Sequence, residues 1–273
     1  MAVDRTASHP GPVEAASPAE SAPLAGSAEE RLDRVAHTLR AVSASRCQTP
    51  EMLTGLSLHD IGAYDAEQRA LVESRLLLGS GVGVRHIVPE STAARAGLRP
   101  GDVITQVNGV DLASFETGLI GARASYDRTA SFERLLDAAL VVGPATLTLR
   151  RGGSEQTMTL TGIPGCGGKP VLYDRGGLNA WSDGKAVAVT TAMMRFAKTD
   201  AELAFVVAHE MSHNVLGHAD KLRGKSMLLA SFGIGSGKIK RSEIEADQMA
   251  VELMIAAGYP VEGATSLLRR ASP

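Results

Sequence analysis

Thr199-Asp200-Ala201-Glu202-Leu203-Ala204-Phe205-Val206-Val207-Ala208-His209-Glu210-Met211-Ser212-His213-Asn214-Val215-Leu216 is the run on which the reading of this chain turns. Thr199 followed three residues later by Glu202 is a capping-box signature, and it predicts a helix over about 200–216. Leu203, Val206, Val207 and Ala208 make its first half strongly apolar, as a buried helix requires. His209 and His213 are four positions apart, so both imidazoles lie on one face, one turn above each other, and can reach one ion. Glu210 stands beside them, where a carboxylate can take a proton from a metal-activated water.

Composition narrows the ligand chemistry. The 273 residues include 2 Cys and 7 His, so a four-cysteine zinc site is excluded and a metal must rest mainly on histidine and carboxylate. A catalytic zinc wants three protein ligands and one open position. A second helix is predicted over about 241–257, closed by Gly258 as a left-handed cap with Pro260 behind it. On it Glu243 and Asp247 are four apart and share a face, while Glu245 points about 200° from Glu243. Glu243 is the leading third ligand, although a lone helical Glu is ordinarily a solvated carboxylate. His218 competes. On a continued helix it would lie nine positions from His209, about 180° around the axis.

Charge and hydropathy bound the partners. With 28 Lys+Arg against 30 Asp+Glu the net charge is −2, which argues against bulk attraction to nucleic acid. No stretch of about 18 apolar residues suggests a membrane span. Residues 1–27, with Pro10, Pro12, Pro18 and Pro23, read as a flexible tail without the pattern of a secretory signal. The chain is therefore expected either in the cytoplasm or in the cell envelope after loss of a signal or anchor. A disulfide between Cys47 and Cys166 would favour the envelope or periplasm; two unrelated thiols are the other reading. The basic residues Lys221, Arg223, Lys225, Lys238, Lys240 and Arg241 read as a solvated loop. Together with the apolar run from Met227 to Phe232, they offer a peripheral membrane contact.

Further elements follow from periodicity. Leu32, Val35, Ala36, Leu39 and Val42 predict an amphipathic helix over 28–46. Residues 50–76 read as short helices and turns, with 65–77 the strongest helix. From Gly79 to about Gly162 the pattern changes to strands and turns. It contains a helix over 131–140 and a hairpin of 146–150 with 156–161 around Arg151-Gly152-Gly153-Ser154. Pro164-Gly165-Cys166-Gly167-Gly168-Lys169-Pro170 reads as a linker, and Ala186 to Thr190 as a short strand.

His209 to His213, followed by the E-x-x-A-D of Glu243 to Asp247, resembles the CAAX-prenyl-protease and HtpX/BepA-like zinc metallopeptidases, metallopeptidase family forty-eight, the gluzincins. Glu202-Leu203-Ala204 before the motif and Val215-Leu216-Gly217-His218 after it agree, and so does Asn179-Ala180-Trp181-Ser182-Asp183-Gly184. The resemblance spans about 170–270. It implies Zn2+ held by His209, His213 and Glu243, Glu210 as general base and proton shuttle, and Asp247 orienting a ligand imidazole. It also implies that Asn179 and Ala180 lie on an edge strand that pairs with extended substrate. Many relatives continue into a segment with a His-Pro pair and a downstream Arg. This chain stops at Pro273, so the oxyanion stabiliser is unassigned: it comes from elsewhere or the chain is truncated.

The run from Ser91 to Gly109, with Ala96-Gly97-Leu98, Gly101-Asp102 and Val107-Asn108-Gly109, resembles a PDZ domain of the bacterial protease-associated type. That resemblance implies that Gly81, Val82, Gly83 and Val84 present backbone N–H groups to the terminal carboxylate of a peptide, with a strand edge accepting the rest. Residues 113–127 look like an insertion over the groove. The alternative is a module that only packs against the other half.

The expected fold is therefore α+β: a PDZ-like β-barrel module followed by a compact, mostly helical gluzincin zinc-protease domain. The expected division is a flexible tail (1–27), an N-terminal helical segment (28–77), a PDZ-like domain (78–163) and a metallopeptidase domain (164–273). The expected function is zinc-dependent endopeptidase cleavage of misfolded or envelope polypeptides, with the PDZ module taking ligand peptides or C-terminal tails. The competing function is a PDZ peptide-binding scaffold with a latent peptidase half, which would have no need of Glu210.

Overall fold

A computed structural model describes residues 27–47, 49–114, 124–218 and 237–271. The proline-rich tail, most of the expected insertion over the groove, and the apolar run from Met227 to Phe232 lie outside the described residues.

The elements are, in order, α1 (Ala28–Val42), β1 (Glu51–Leu53), β2 (Leu56–His59), α2 (Ala66–Leu76), β3 (Val82–Ile87), α3 (Thr92–Arg95), β4 (Val103–Val107), β5 (Val110–Asp111) and α4 (Asp127–Val142). There follow β6 (Ala145–Arg151), β7 (Ser154–Leu160), β8 (Ile163–Gly165), β9 (Lys169–Tyr173), β10 (Ala180–Ser182), β11 (Ala186–Thr190), α5 (Thr191–Phe196), α6 (Asp200–Val215), α7 (Gly237–Ala256) and α8 (Glu262–Ala271). The strand over Ala186–Thr190 has the predicted bounds. The predicted hairpin is β6–β7, turned by Gly152 and Gly153 at φ 54° and 83°, where a Cβ would be strained. Residues 50–60 form two strands rather than the expected short helices.

Two hydrophobic cores organise these elements. The first joins Leu32, Val35, Ala36 and Leu39 of α1 to Val187, Val189, Leu203, Val207, Met211, Ala250, Leu253 and Leu267. The second fills the space between α4 and the larger sheet, with Leu58, Val82, Val84, Ile104, Phe132, Leu136, Leu147 and Leu149. The stretch 28–77 is thus shared: α1 belongs to the first core, whereas Leu58 of β2 belongs to the second. The first core follows from periodicity, since the buried residues of α1 recur at intervals of three and four.

The larger sheet has the order β2-β3-β4-β6-β7, with β5 paired to β4. It is open, which corrects the expected β-barrel: β2 and β7 are its ends and do not pair with each other. Closure would need the end strands to hydrogen-bond to each other, and β2 pairs with β3 and β7 with β6. A smaller sheet has the order β10-β11-β9, with β10 antiparallel and β9 parallel to β11.

A two-stranded neck connects the halves. β1 pairs antiparallel with β8, Glu51 opposite Gly165 and Leu53 opposite Ile163. The disulfide Cys47–Cys166 closes its base, and Cys166 N–H donates to Arg40 C=O at 3.0 Å. The expected linker is therefore a built joint. Gly167 has φ +100°, and a Cβ there would stand 2.6 Å from Met211 Cε of α6. Gly168 has φ +97°, and a Cβ there would stand 2.7 Å from both Asn214 Nδ2 and the Lys185 carbonyl oxygen. The two halves also meet along α1, where Arg85 binds Glu29 at 2.6 Å and His86 Nε2 lies 2.6 Å from Asp33 Oδ2. No helix among the described residues is long and apolar enough to cross a membrane.

Candidate metal centre

α6 starts where Thr199 Oγ1 accepts the Glu202 N–H at 3.2 Å. The reciprocal half of the capping box is diverted. Glu202 accepts instead from the Lys198 N–H at 2.7 Å, and it binds Ser266 and Arg270 of α8 at 2.7 and 2.5 Å. Leu203, Ala204, Val207, Ala208 and Met211 are fully buried, so the helix is held on almost every side. α7 lies against it through Ala246 and Ala250, whose small, fully buried side chains allow close approach.

That packing brings three ligating side chains together. His209 Nε2 and His213 Nε2 are 3.2 Å apart. Glu243 Oε2 is 3.3 Å from His209 Nε2, and its Oε1 is 3.7 Å from His213 Nε2. A tetrahedral zinc with bonds of about 2.0–2.1 Å sets its ligand atoms about 3.3 Å apart. The donor set therefore fits such an ion in type and spacing. Asp247 Oδ1 lies 2.8 Å from His209 Nδ1, the arrangement that fixes a ligand imidazole with Nε2 facing the metal.

The electrostatics favour positive charge at the same point. Burial alone would lower His209, but the carboxylates of Asp247 and Glu243 outweigh it and hold His209 up at about 10. Burial works against Glu243 as an anion, yet the two imidazoles hold it down at about 2. Glu210 is buried, and that burial raises its affinity for a proton, opposed by His209 and His213. Three carboxylates around two imidazoles thus compete for positive charge at one point.

His218 has a place that sequence reasoning missed. α6 ends at Val215, and Gly217 has φ +66°, so the chain turns back instead of continuing the helix. His218 Nδ1 comes within 3.0 Å of His213 Nδ1, on the side of that ring away from Glu243, and His218 Nε2 lies 3.4 Å from Glu245 Oε2. His218 thus stands behind His213 much as Asp247 stands behind His209. The αL-prone Gly217 was the signal in the sequence.

Ala180 opens β10 and Asn179 directly precedes it; β10 is the end strand of its sheet. Ser182 of the same strand is buried and near enough to Glu210 to lower it. Asn214 ties α6 to this sheet, donating to the Gly167 and Ala186 carbonyls at 2.9 and 3.1 Å and accepting from the Gly184 N–H at 2.7 Å.

Gly81, Val82, Gly83 and Val84 have a different place from the one expected. They run into β3, an interior strand paired to both β2 and β4. The Gly81 and Val84 N–H groups are already bonded to Leu78 and Asp102 carbonyls, both at 2.8 Å. The glycines serve packing: a Cβ on Gly81 would stand 2.4 Å from Val103 Cγ1, and one on Gly83 2.6 Å from His59 Nε2. A carboxylate-binding loop at 81–84 is thereby corrected. The open strand edges of this sheet are β2 and β7.

Residues 155–240 match the sequence model of peptidase family M48, and residues 83–119 that of the PDZ domain. No curated protein matched. Among solved structures, the HtrA3 PDZ domain bound to a phage-derived ligand (FGRWV) is 20% identical, with a TM-score of 0.31; the match covers 42% of this chain and 89% of that one. The HtrA-type protease AlgW with decapeptide is also 20% identical, with a TM-score of 0.30; the match covers 42% of this chain and 30% of that one.

Proposed function

We propose that this chain, an M48-type peptidase segment joined to a PDZ domain, is a zinc-dependent endopeptidase. The observation that carries the reading is the convergence of His209, His213 and Glu243, with ligand atoms within 4.8 Å of one another and Glu210 alongside. Zinc bound there would polarise the scissile carbonyl and acidify a water. His209 and His213 would offer Nε2 and Glu243 a carboxylate oxygen, with Asp247 holding the His209 tautomer through Nδ1. The Glu210 carboxylate would take the proton of the attacking water and return it to the leaving nitrogen. Its burial suits it to hold that proton between the two events. Extended substrate would add to the free edge of β10, with Asn179 and Ala180 at the start of that track.

We assign the peptide-binding role of the PDZ half to an open strand edge, with β2 favoured because its partly buried residues border the second core. Peptides or C-terminal tails are the ligands this supports. The halves are read as an M48-type unit into which a PDZ unit is inserted at the β1–β8 neck. The Cys47–Cys166 disulfide supports an oxidising compartment, and with it a role on envelope proteins.

Zinc content and peptide cleavage test the reading together. Wild type and Glu210→Gln should both bind one equivalent of zinc, and only wild type should cleave. Equal slow turnover in both would sink the peptidase assignment. Glu243→Ala should lose zinc while His218→Ala retains it, and the reverse pattern would reassign the third ligand.

A further inference from the structure

β10 has a second face. Ala180 packs against the first core and Ser182 is buried beside α6, so by alternation Trp181 turns to the opposite side of the small sheet. There its indole stacks on Tyr173, ring centroids 4.9 Å apart and planes tilted by 42°. Next to it is a cavity of about 470 Å³ lined by Arg175, Gly177, Asn179, Trp181 and Thr190. Its size is in the range of ligand pockets.

The walls are fixed. Thr190 Oγ1 donates to the Gly177 and Asn179 carbonyls at 2.8 and 3.0 Å, and it accepts from the Asn179 N–H at 3.2 Å. Thr191 Oγ1 and the Ala192 N–H hold the Arg175 carbonyl at 3.0 and 3.3 Å. The Arg175 backbone is therefore anchored, while its guanidinium makes no ion pair or hydrogen bond among the described residues. An anchored indole face beside an uncommitted guanidinium matches an aromatic ring, which can stack on the first and lie under the second.

We propose that this cavity is a specificity subsite that takes an aromatic side chain of a peptide lying on the edge of β10. The proposal rests on the peptidase reading for its placement: successive residues of a strand are about 3.3 Å apart and face opposite sides. A substrate residue over Trp181 is thus the immediate neighbour of the one opposite Ser182 and Glu210. The selected ring belongs within two residues of the cleaved bond.

Trp181 is the one tryptophan of the chain, so its emission reports the site directly. Full-length Glu210→Gln protein is titrated with a peptide series in which a single Phe is moved through an otherwise Ala- and Ser-based sequence. One placement of Phe should shift the emission saturably and bind about tenfold more tightly than the all-Ala peptide. Arg175→Ala, at an exposed position that should not disturb folding, should remove most of that preference while leaving the all-Ala affinity unchanged. Equal binding of Phe and Ala peptides overturns the subsite, as does equal weakening of both by Arg175→Ala. Wild-type cleavage mapping separates the two readings. Cleavage more than two residues from the preferred Phe overturns the subsite alone. Phe-selective binding without cleavage of any peptide overturns the peptidase reading and leaves a peptide-binding pocket.

Discussion

Glu202 shows how a single carboxylate can tie α6, the helix of the histidine pair, to α8. It is almost fully buried, yet Arg270 grips both of its oxygens, at 2.5 and 2.6 Å, and Ser266 adds a third bond at 2.7 Å. Arg270, and after it Ser266 and the Lys198 N–H working against burial, hold its carboxyl down at about 2. A carboxyl depressed on folding stabilises above its unfolded value of about 4.3, and that contribution is lost as pH falls through about 2. Glu202→Ala should cost about 3 kcal/mol in urea denaturation at pH 7, because it leaves Arg270 half-buried and unpaired. The gap between variant and wild type should shrink between pH 4 and 2. A gap that stays constant with pH would show that lost packing, not the ion pair, carries the effect. The sequence announced Glu202 as half of a capping box and as a flank of the histidine motif; its side-chain partners Ser266 and Arg270 lie more than 60 residues away, beyond the reach of local pattern. His209, Glu210 and His213 were legible because one helical turn sets their geometry. The place of His218 behind His213 was not legible, because helical periodicity was extended through Gly217, where the backbone leaves the helix.

At the scale of elements, α6 is located by what presses on it. Gly167 and Gly168 are the signature of this contact, and composition alone reads them as a loose connection. A glycine reports that something comes close or that φ is positive, without naming the neighbour. For the same reason Gly81 and Gly83 could be read as a ligand loop, whereas they admit Val103 and His59. Gly168→Ala should be costly, since φ is +97° and the new methyl meets the Lys185 backbone and Asn214 at 2.7 Å. We expect a loss of about 2–3 kcal/mol by thermal or urea unfolding. Because Asn214 follows His213 directly, zinc affinity should fall as well. Unchanged zinc affinity would mean that the helix absorbs the displacement. α7, β11 and the β6–β7 hairpin were legible from periodicity and turn residues. β1, β8 and α8 were not: two are three-residue strands defined only by a distant partner, and α8 owes much of its place to Ser266 and Arg270 binding Glu202.

On the scale of the whole molecule, the disulfide spans 119 positions and closes the neck between the halves. Cross-linking so long a segment removes about 4–5 kcal/mol of unfolded-chain entropy by the loop-closure model, with 2–4 kcal/mol typically realised. Reduction should therefore lower the urea midpoint of the first core, to which α1 is tied through Arg31 and Arg34 on Asp200 at 2.9 and 2.6 Å. Thiol labelling of unreduced protein should find no free cysteine. Two free thiols would remove the argument for an oxidising compartment. The neck has one more consequence. Because Leu53 and Ile163 face each other across β1 and β8, the chain departs and returns through the same doorway. Residues 54–162 can then be regarded as cargo carried on a hairpin, and a short Asn-Gly turn joining Leu53 to Ile163 should restore an uninterrupted chain. Such a miniature would keep its disulfide and its histidine pair.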